Sequence, residues 1–181
     1  MTVKRFPFPL NIGTDIVHIP RLQRLVTRSI VNSHSTNQNK TYLDRFIRRI
    51  LCEEEKTYFH SKFQSLQPPS TPTLTSRERS SALQNRDTTP DIVEISRWLA
   101  GRFAAKEAAR KAAPGGASSL SWKDVMVQVE SQGGGRPEVV YLRNGIKNEV
   151  GKLSISHDGE YVVATVLAAD NAFFEEEGKI D

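Results

Sequence analysis

The chain has 181 residues, a formal charge of +4, an apolar fraction of 38% and one cysteine. That length suits one domain, and an apolar fraction below the about 45–50% of ordinary globular chains leaves part of the sequence outside the core. Cys52 alone excludes an internal disulfide and points to a reducing compartment, mitochondrial or cytoplasmic. No apolar run approaches the roughly 20 residues of a membrane span. The positive balance favours an acidic partner: nucleic acid, anionic lipid, a polyphosphate or an acidic protein.

Met1 to Leu10 carries Lys4 and Arg5 but also Pro7 and Pro9; it is too short for a clear secretory signal, and an organellar presequence stays open. Asn11 to Val17 reads as a short buried strand. Ile19 to Ile30 follows as an amphipathic helix, with Pro20 tolerated in its first turn. Residues 31–40 are polar and read as a loop. Tyr42 to Leu51 and Glu53 to Phe63 read as helices. Residues 64–91, with four prolines among many Ser, Thr and Arg, lack the apolar surface to offset their ordering entropy and are expected to be a disordered insertion in a single 1–181 domain. Ile92 to Ala112 is the strongest helical segment, stopped by Pro114-Gly115-Gly116. Strands are expected at Asp124 to Glu130, Glu138 to Leu142, Lys152 to Ser156 and Tyr161 to Ala168, with turns at residues 133–137 and 157–160. Helices first and strands later indicate an α+β domain with antiparallel strands.

Two acids stand out. Asp15 lies in an apolar strand, where a carboxylate needs a cation, a cap or a metal; an Asp that caps the next helix or meets an arginine is as good a reading as a functional one. Glu107 continues the stripe Leu99, Phe103, Glu107 and sits among Arg102, Lys106, Arg110 and Lys111. It reads either as a surface acid in helical ion pairs worth a few tenths of a kcal/mol, or as one of the one or two carboxylates that hold Mg²⁺ beside a phosphate ligand.

Arg21, Arg24 and Arg28 line one face of the first helix, and Arg45, Arg48 and Arg49 repeat the theme on the second. These are solvated faces or a docking surface for an acidic partner. His157, after Ser154-Ile155-Ser156, is a turn residue or a phosphate ligand. Cys52, beside three glutamates, is expected to have a raised pKa and no special reactivity. The histidines show no zinc spacing. The chain has no phosphate loop, no dinucleotide-binding glycine pattern and no nucleophile elbow.

Three segments in this order resemble the acyl-carrier-protein synthase type of 4′-phosphopantetheinyl transferase: Ile12-Gly13-Thr14-Asp15-Ile16-Val17, Leu99-Ala100-Gly101-Arg102-Phe103-Ala104-Ala105-Lys106-Glu107-Ala108, and Ser154-Ile155-Ser156-His157-Asp158-Gly159-Glu160-Tyr161. Gly135-Arg136-Pro137 is similar to the family's Gly-Lys-Pro turn. The resemblance covers most of 11–63 and 96–168 and none of 64–91. It implies an antiparallel sheet packed on a long central helix, a homotrimer with interfacial sites, and Mg²⁺ held by Asp15 and Glu107, contributed by one chain or by two. It implies that Lys106, Lys111 and Arg102 meet coenzyme A, that Ser156 and His157 lie near it, and that Arg21, Arg24 and Arg28 meet an acidic acyl carrier protein. Glu107, Asp15 and Lys111 would carry the transfer of phosphopantetheine to a carrier serine, releasing adenosine 3′,5′-bisphosphate, as in fatty acid biosynthesis. His18 stands where the family usually has Glu, 31–40 and 64–91 are insertions relative to compact bacterial members, and Arg143 to Gly151 is shorter than the usual helical segment. One rival reading is a basic nucleic-acid-binding module, disfavoured because the strands lack interleaved aromatic and basic residues beyond Tyr141 and Tyr161. The other is an inactive structural trimer.

Overall fold

A computed structural model describes residues 8–32, 41–63, 90–130 and 135–170. In chain order these form β1 (Leu10–His18), α1 (Ile19–Asn32), α2 (Tyr42–Ile50), α3 (Glu53–Lys62), α4 (Pro90–Ala112), a 3₁₀ turn (Trp122–Asp124), β2 (Val125–Val129), β3 (Pro137–Arg143), β4 (Ile146–Asp158) and β5 (Tyr161–Ala169). The strands make one antiparallel sheet in the order β1-β5-β4-β3-β2, with α4 against one face. The α+β expectation is met. The expected loop at 31–40 starts two residues late, because α1 runs to Asn32, and α4 begins at Pro90, a residue tolerated in a first turn. The remainder of the predicted insertion, 64–89, lies outside the described residues, as do 33–40 and Gly133-Gly134 of the predicted turn.

One strand, 13 residues long, is more than twice the length its sequence pattern indicates. Lys152 to Ser156 is only the second half of β4, which starts at Ile146. The cause is the Asn144-Gly145 pair, both at positive φ (53° and 77°), a two-residue hairpin turn that folds Ile146–Gly151 back onto β3. The stretch that is shorter than the family's usual helical segment is thus mostly sheet.

Helix α1 buries Ile19, Leu22, Val26 and Ser29, one face at helical spacing. Its Ser29 hydroxyl accepts from Leu43 N at 2.8 Å and so ties α1 to α2. Helix α2 opens on a reciprocal cap, in which Thr41 Oγ1 accepts from Asp44 N and Asp44 Oδ2 accepts from Thr41 N. Helix α4 meets the sheet through alanines: Ala104, Ala105, Ala108, Ala109 and Ala112 are all fully buried. Small side chains there allow a close approach, and Gly13 makes it closer still. A Cβ at Gly13 would overlap the carbonyl oxygen of Ala108 and stand 2.8 Å from Ala112 N, so β1 and α4 cross backbone to backbone.

A buried charge cluster fastens the other side of α4. Lys106 is fully buried, and its Nζ pairs with Glu55 Oε2 and donates to the carbonyls of Ile50, Trp122 and Val125 at 2.5–3.1 Å. Glu55, itself buried, also accepts from Cys52 N (3.1 Å) and Val127 N (3.0 Å). One lysine thus gathers the end of α2, the start of α3, the 3₁₀ turn and β2. Burial pulls the Lys106 pKa down, and Glu55 opposes that pull. Burial, then Glu55, raises the Cys52 thiol.

Two glycines of contrasting surroundings test the crossing. Gly13→Ala should lower stability by about 1–3 kcal/mol through overpacking. Gly101, in mid-helix with open space where a Cβ would stand, should gain about 1 kcal/mol as alanine. Urea unfolding at fixed protein concentration reads both, and equal effects would remove the crossing from the account. In the charge cluster, Lys106→Met or Glu55→Gln alone should cost about 3–5 kcal/mol by stranding the partner, and the double variant should cost less than the sum. Additive single effects would show that the pair does not act as a unit.

Candidate active site

The alternation of β1 sends Gly13, Asp15 and Val17 to the helix side of the sheet and Ile12, Thr14 and Ile16 to the other. Because Gly13 touches Ala108 and Ala112, Asp15 arrives two residues further along, beside the turn of α4 that carries Glu107 and Lys111. Lys111 Nζ donates to Asp15 Oδ1 and to Thr14 O, both at 2.9 Å. Glu107 lies one turn back on the same helical face, and its Oε1 accepts from Arg110 Nη1 at 3.1 Å. The two carboxylate side chains are about equally accessible, 17% and 21% exposed, and Lys111 is 45% exposed. The acids singled out in the sequence, 92 positions apart, thus stand on facing elements of one chain: Asp15 meets α4 through Lys111, and Glu107 lies one turn before Lys111 on that helix. The ion pairing expected of a surface Glu107 is also present, through Arg110.

Two partly exposed carboxylates on a strand and a helix are the donor type that suits Mg²⁺ completed by phosphate and water. Among the described residues no cluster of three His, Cys, Asp or Glu side chains could close a metal site by protein ligands alone. The donor set fits an open oxygen site and does not fit a structural zinc.

His157 shares the helix side. Its register partner is Val162, which pairs in turn with Val17, so His157 stands one row beyond Asp15 with β5 between. Ordinary strand spacing and rise put these two Cα atoms roughly 12 Å apart, a span that a pyrophosphate with its sugar can bridge. Ser156, opposite Val163, points to the other face of the sheet, away from Asp15. His18, in the family's usual Glu position, shares a 3.2 Å hydrogen bond with Glu160 and packs 5.0 Å from the Tyr161 ring. It fastens β1 to the β4–β5 turn and does not face the acids.

Lys106 and Arg102 correct the sequence reading. Lys106 has its ammonium filled by four protein acceptors and no exposed surface, so it does not meet coenzyme A phosphates. Arg102, two and a half turns from Lys111, faces the opposite side of α4. Its guanidinium lies 3.4 Å over the Trp98 ring and its Nε is 3.8 Å from Glu55. Burial pulls its pKa down to about 10. Both cations belong to the inner cluster. Tyr141, a candidate for stacking on nucleic acid, is buried with its hydroxyl donating to Ala109 O at 2.9 Å.

Arg21, Arg24 and Arg28 lie on α1, directly after the strand that carries Asp15, and all three are exposed. Arg45, Arg48 and Arg49 stand on the adjacent α2, and none of the six makes an ion pair among the described residues. Sequence reasoning misses two contributors. Gly13 reads only as a strand residue, although a glycine two before an acid in an apolar strand is a signal of close backbone approach. Glu55 is hidden in a run of three glutamates.

Comparison with known proteins places this geometry in a family. The sequence profile of the 4′-phosphopantetheinyl transferase superfamily matches residues 11–166. The chain is 53% identical over 169 residues to 4′-phosphopantetheinyl transferase B, mitochondrial, of Aspergillus fumigatus, covering 91% of this chain and 96% of that protein. It is 32% identical over 165 residues to holo-[acyl-carrier-protein] synthase of Chlamydia pneumoniae, covering 88% and 96%. Among solved structures, a holo-(acyl-carrier-protein) synthase from Bacillus anthracis in complex with CoA (3′,5′-ADP) superposes with a TM-score of 0.50 at 25% identity, over 88% of this chain and 95% of that one. The two acids, one on β1 and one on α4, thus sit in a chain that belongs to the 4′-phosphopantetheinyl transferase superfamily.

Proposed function

We propose that this chain transfers the 4′-phosphopantetheine group of coenzyme A to a serine of an acidic apo acyl carrier protein. The observation that carries the reading is that Lys111 of α4 meets Asp15 beside the Gly13 crossing, with Glu107 one helical turn before it. Similarity to holo-[acyl-carrier-protein] synthases, one of them solved with CoA (3′,5′-ADP), supports the substrate class.

In this reading Asp15 and Glu107 would hold Mg²⁺, which would supply charge neutralisation for the pyrophosphate. The carrier serine Oγ forms a bond to the phosphorus on the pantetheine side. The bond from that phosphorus to the bridging oxygen breaks, and adenosine 3′,5′-bisphosphate leaves with the electron pair. The serine proton passes to water rather than to Glu107, one oxygen of which is held by Arg110 and which would be a weaker base when holding the cation. Lys111, the accessible cation of the site, is able to leave Asp15 for the phosphates and balance charge on the leaving group. His157, on the same face, meets the nucleotide end.

The arginines of α1 and α2 give the carrier a basic approach to the site, steering association more than adding affinity. The face of the sheet opposite α4 exposes Ile12 (69%), Ile16 (61%), Leu10, Val163 and Leu167. Apolar surface of this kind marks an interface, and we assign it to a homotrimer whose sites lie at subunit boundaries. In that assembly Ser156, on the same face, reaches a neighbouring chain. The Aspergillus relative is mitochondrial by name, and we place this chain in the same compartment. No helix among the described residues is long and apolar enough to cross a membrane.

Incubation with apo carrier, coenzyme A and Mg²⁺ should add one phosphopantetheine to the carrier by intact mass, and EDTA should stop it. Glu107→Gln should lower kcat/KM by at least about 100-fold with an unchanged thermal midpoint, the scale of losing several kcal/mol of charge stabilisation. No mass gain across several carriers would overturn the catalytic reading. For assembly, sedimentation should give a mass above the monomer, reduced to a monomer by Ile12→Lys with Ile16→Glu. A monomeric wild type at micromolar concentration would remove the trimer.

A further inference from the structure

Arg110 is the cation of α4 that pairs with Glu107, and it is held more firmly than that one bond requires. Its position is fixed at four points. Nε donates to Leu120 O at 2.9 Å, Nη2 to Ala117 O at 2.6 Å and Nη1 to Glu107 Oε1 at 3.1 Å, while the guanidinium lies 4.9 Å from the centre of the Trp122 ring. Its side chain is only 17% exposed. A planar fork whose edges are committed in this way cannot swing to follow a ligand. Lys111 differs: it is a half-exposed point charge on a flexible stem, holding a strand carbonyl and one carboxylate oxygen.

We propose that Arg110 is a positioning residue for the metal-binding carboxylate: it grips Oε1 of Glu107 and leaves Oε2 as the atom offered to the cation. The inference rests on the metal reading given under Proposed function. Its physical basis is that a glutamate on an open helix face samples several rotamers, whereas one oxygen pinned by a fixed guanidinium restricts the other to a narrow arc. The pin is itself anchored to the backbone of the 117–120 segment and to Trp122, which packs in turn on Phe103 at 4.7 Å. Hydrogen bonds to ligating carboxylates act in this way in metal sites generally.

The sign of the effect separates two roles. If Arg110 acted only as a nearby positive charge, its removal would let a divalent cation bind more tightly. If it positions Glu107, its removal weakens binding. Three of its four contacts are to carbonyl oxygens and a ring face, which offset its charge, so the positioning role is expected to win.

The test uses Mn²⁺ as a paramagnetic probe, titrated against the full-length protein at saturating coenzyme A with free Mn²⁺ read by electron paramagnetic resonance. Arg110→Gln should raise the Mn²⁺ dissociation constant by about 10-fold to 100-fold, with the coenzyme A dissociation constant measured without metal unchanged. In a Glu107→Gln background the same substitution should have no further effect, because the residue it acts through is gone. Should Arg110→Gln fail to fold, Arg110→Lys replaces it; a lysine keeps the charge but cannot hold the carboxylate and two carbonyls together, and should show a smaller loss in the same direction. Equal or tighter Mn²⁺ binding in the variants, or a loss that persists in full when Glu107 is already Gln, overturns the positioning role. A wild type that binds no Mn²⁺ overturns the metal reading beneath it.

Discussion

At Gly13 a strand and a helix touch through their backbones, with no side chain between them. Everything that the site requires is measured from that contact. Strand alternation puts Asp15 on the same face one step along β1, and helical spacing puts Glu107 and Lys111 each one residue before the touched residues Ala108 and Ala112. A larger residue at 13 would move the strand away and lengthen every distance between the two acids. The run of buried alanines on α4 serves the same end, since each omits a side chain that would lift the helix from the sheet.

The second constraint lies one residue from Glu107. Lys106 and Glu107 are neighbours in sequence but point about 100° apart around the helix axis. One enters the core and is surrounded by oxygens from neighbouring elements, and the other reaches the surface. A buried ion pair is weak evidence for stability, because desolvation offsets attraction. Its effect here is geometric: α4 cannot rotate or slide without stranding the Lys106 ammonium, so the direction of Glu107 is set from behind. Arg110 acts from the front, where the same carboxylate emerges.

Much of the architecture is legible in the residues, and the failures share a cause. The helices and most strands show in the periodicity, and Asp15 is conspicuous as a charge in an apolar run. Glu107 is not distinguishable from an ordinary paired surface acid, and it is in fact paired; what sets it apart is its place one turn from Lys111, the residue that meets Asp15. Lys106 and Arg102 mislead because a helix rich in cations shows no sign in its sequence of which ones turn inward. That depends on Glu55, 51 positions before Lys106 and masked by Glu53 and Glu54. The first half of β4 escapes because its residues, Ile146 to Gly151, look polar and irregular unless Asn144-Gly145 is read as a hairpin turn.

Strand β1 has a further consequence. Its two faces serve different purposes, with the acid on one and Ile12 and Ile16 on the other, and the strand lies at the edge of the sheet with β5 as its only neighbour among the described strands. A slip of β1 by one position against β5 would exchange the faces completely. Asp15 would then point into the apolar surface, and Ile16 would lie over the helix. The chain therefore has no partly shifted state in which the acid is retained and the outer surface is lost, or the reverse. Both surfaces form together, in the single register that Gly13 permits.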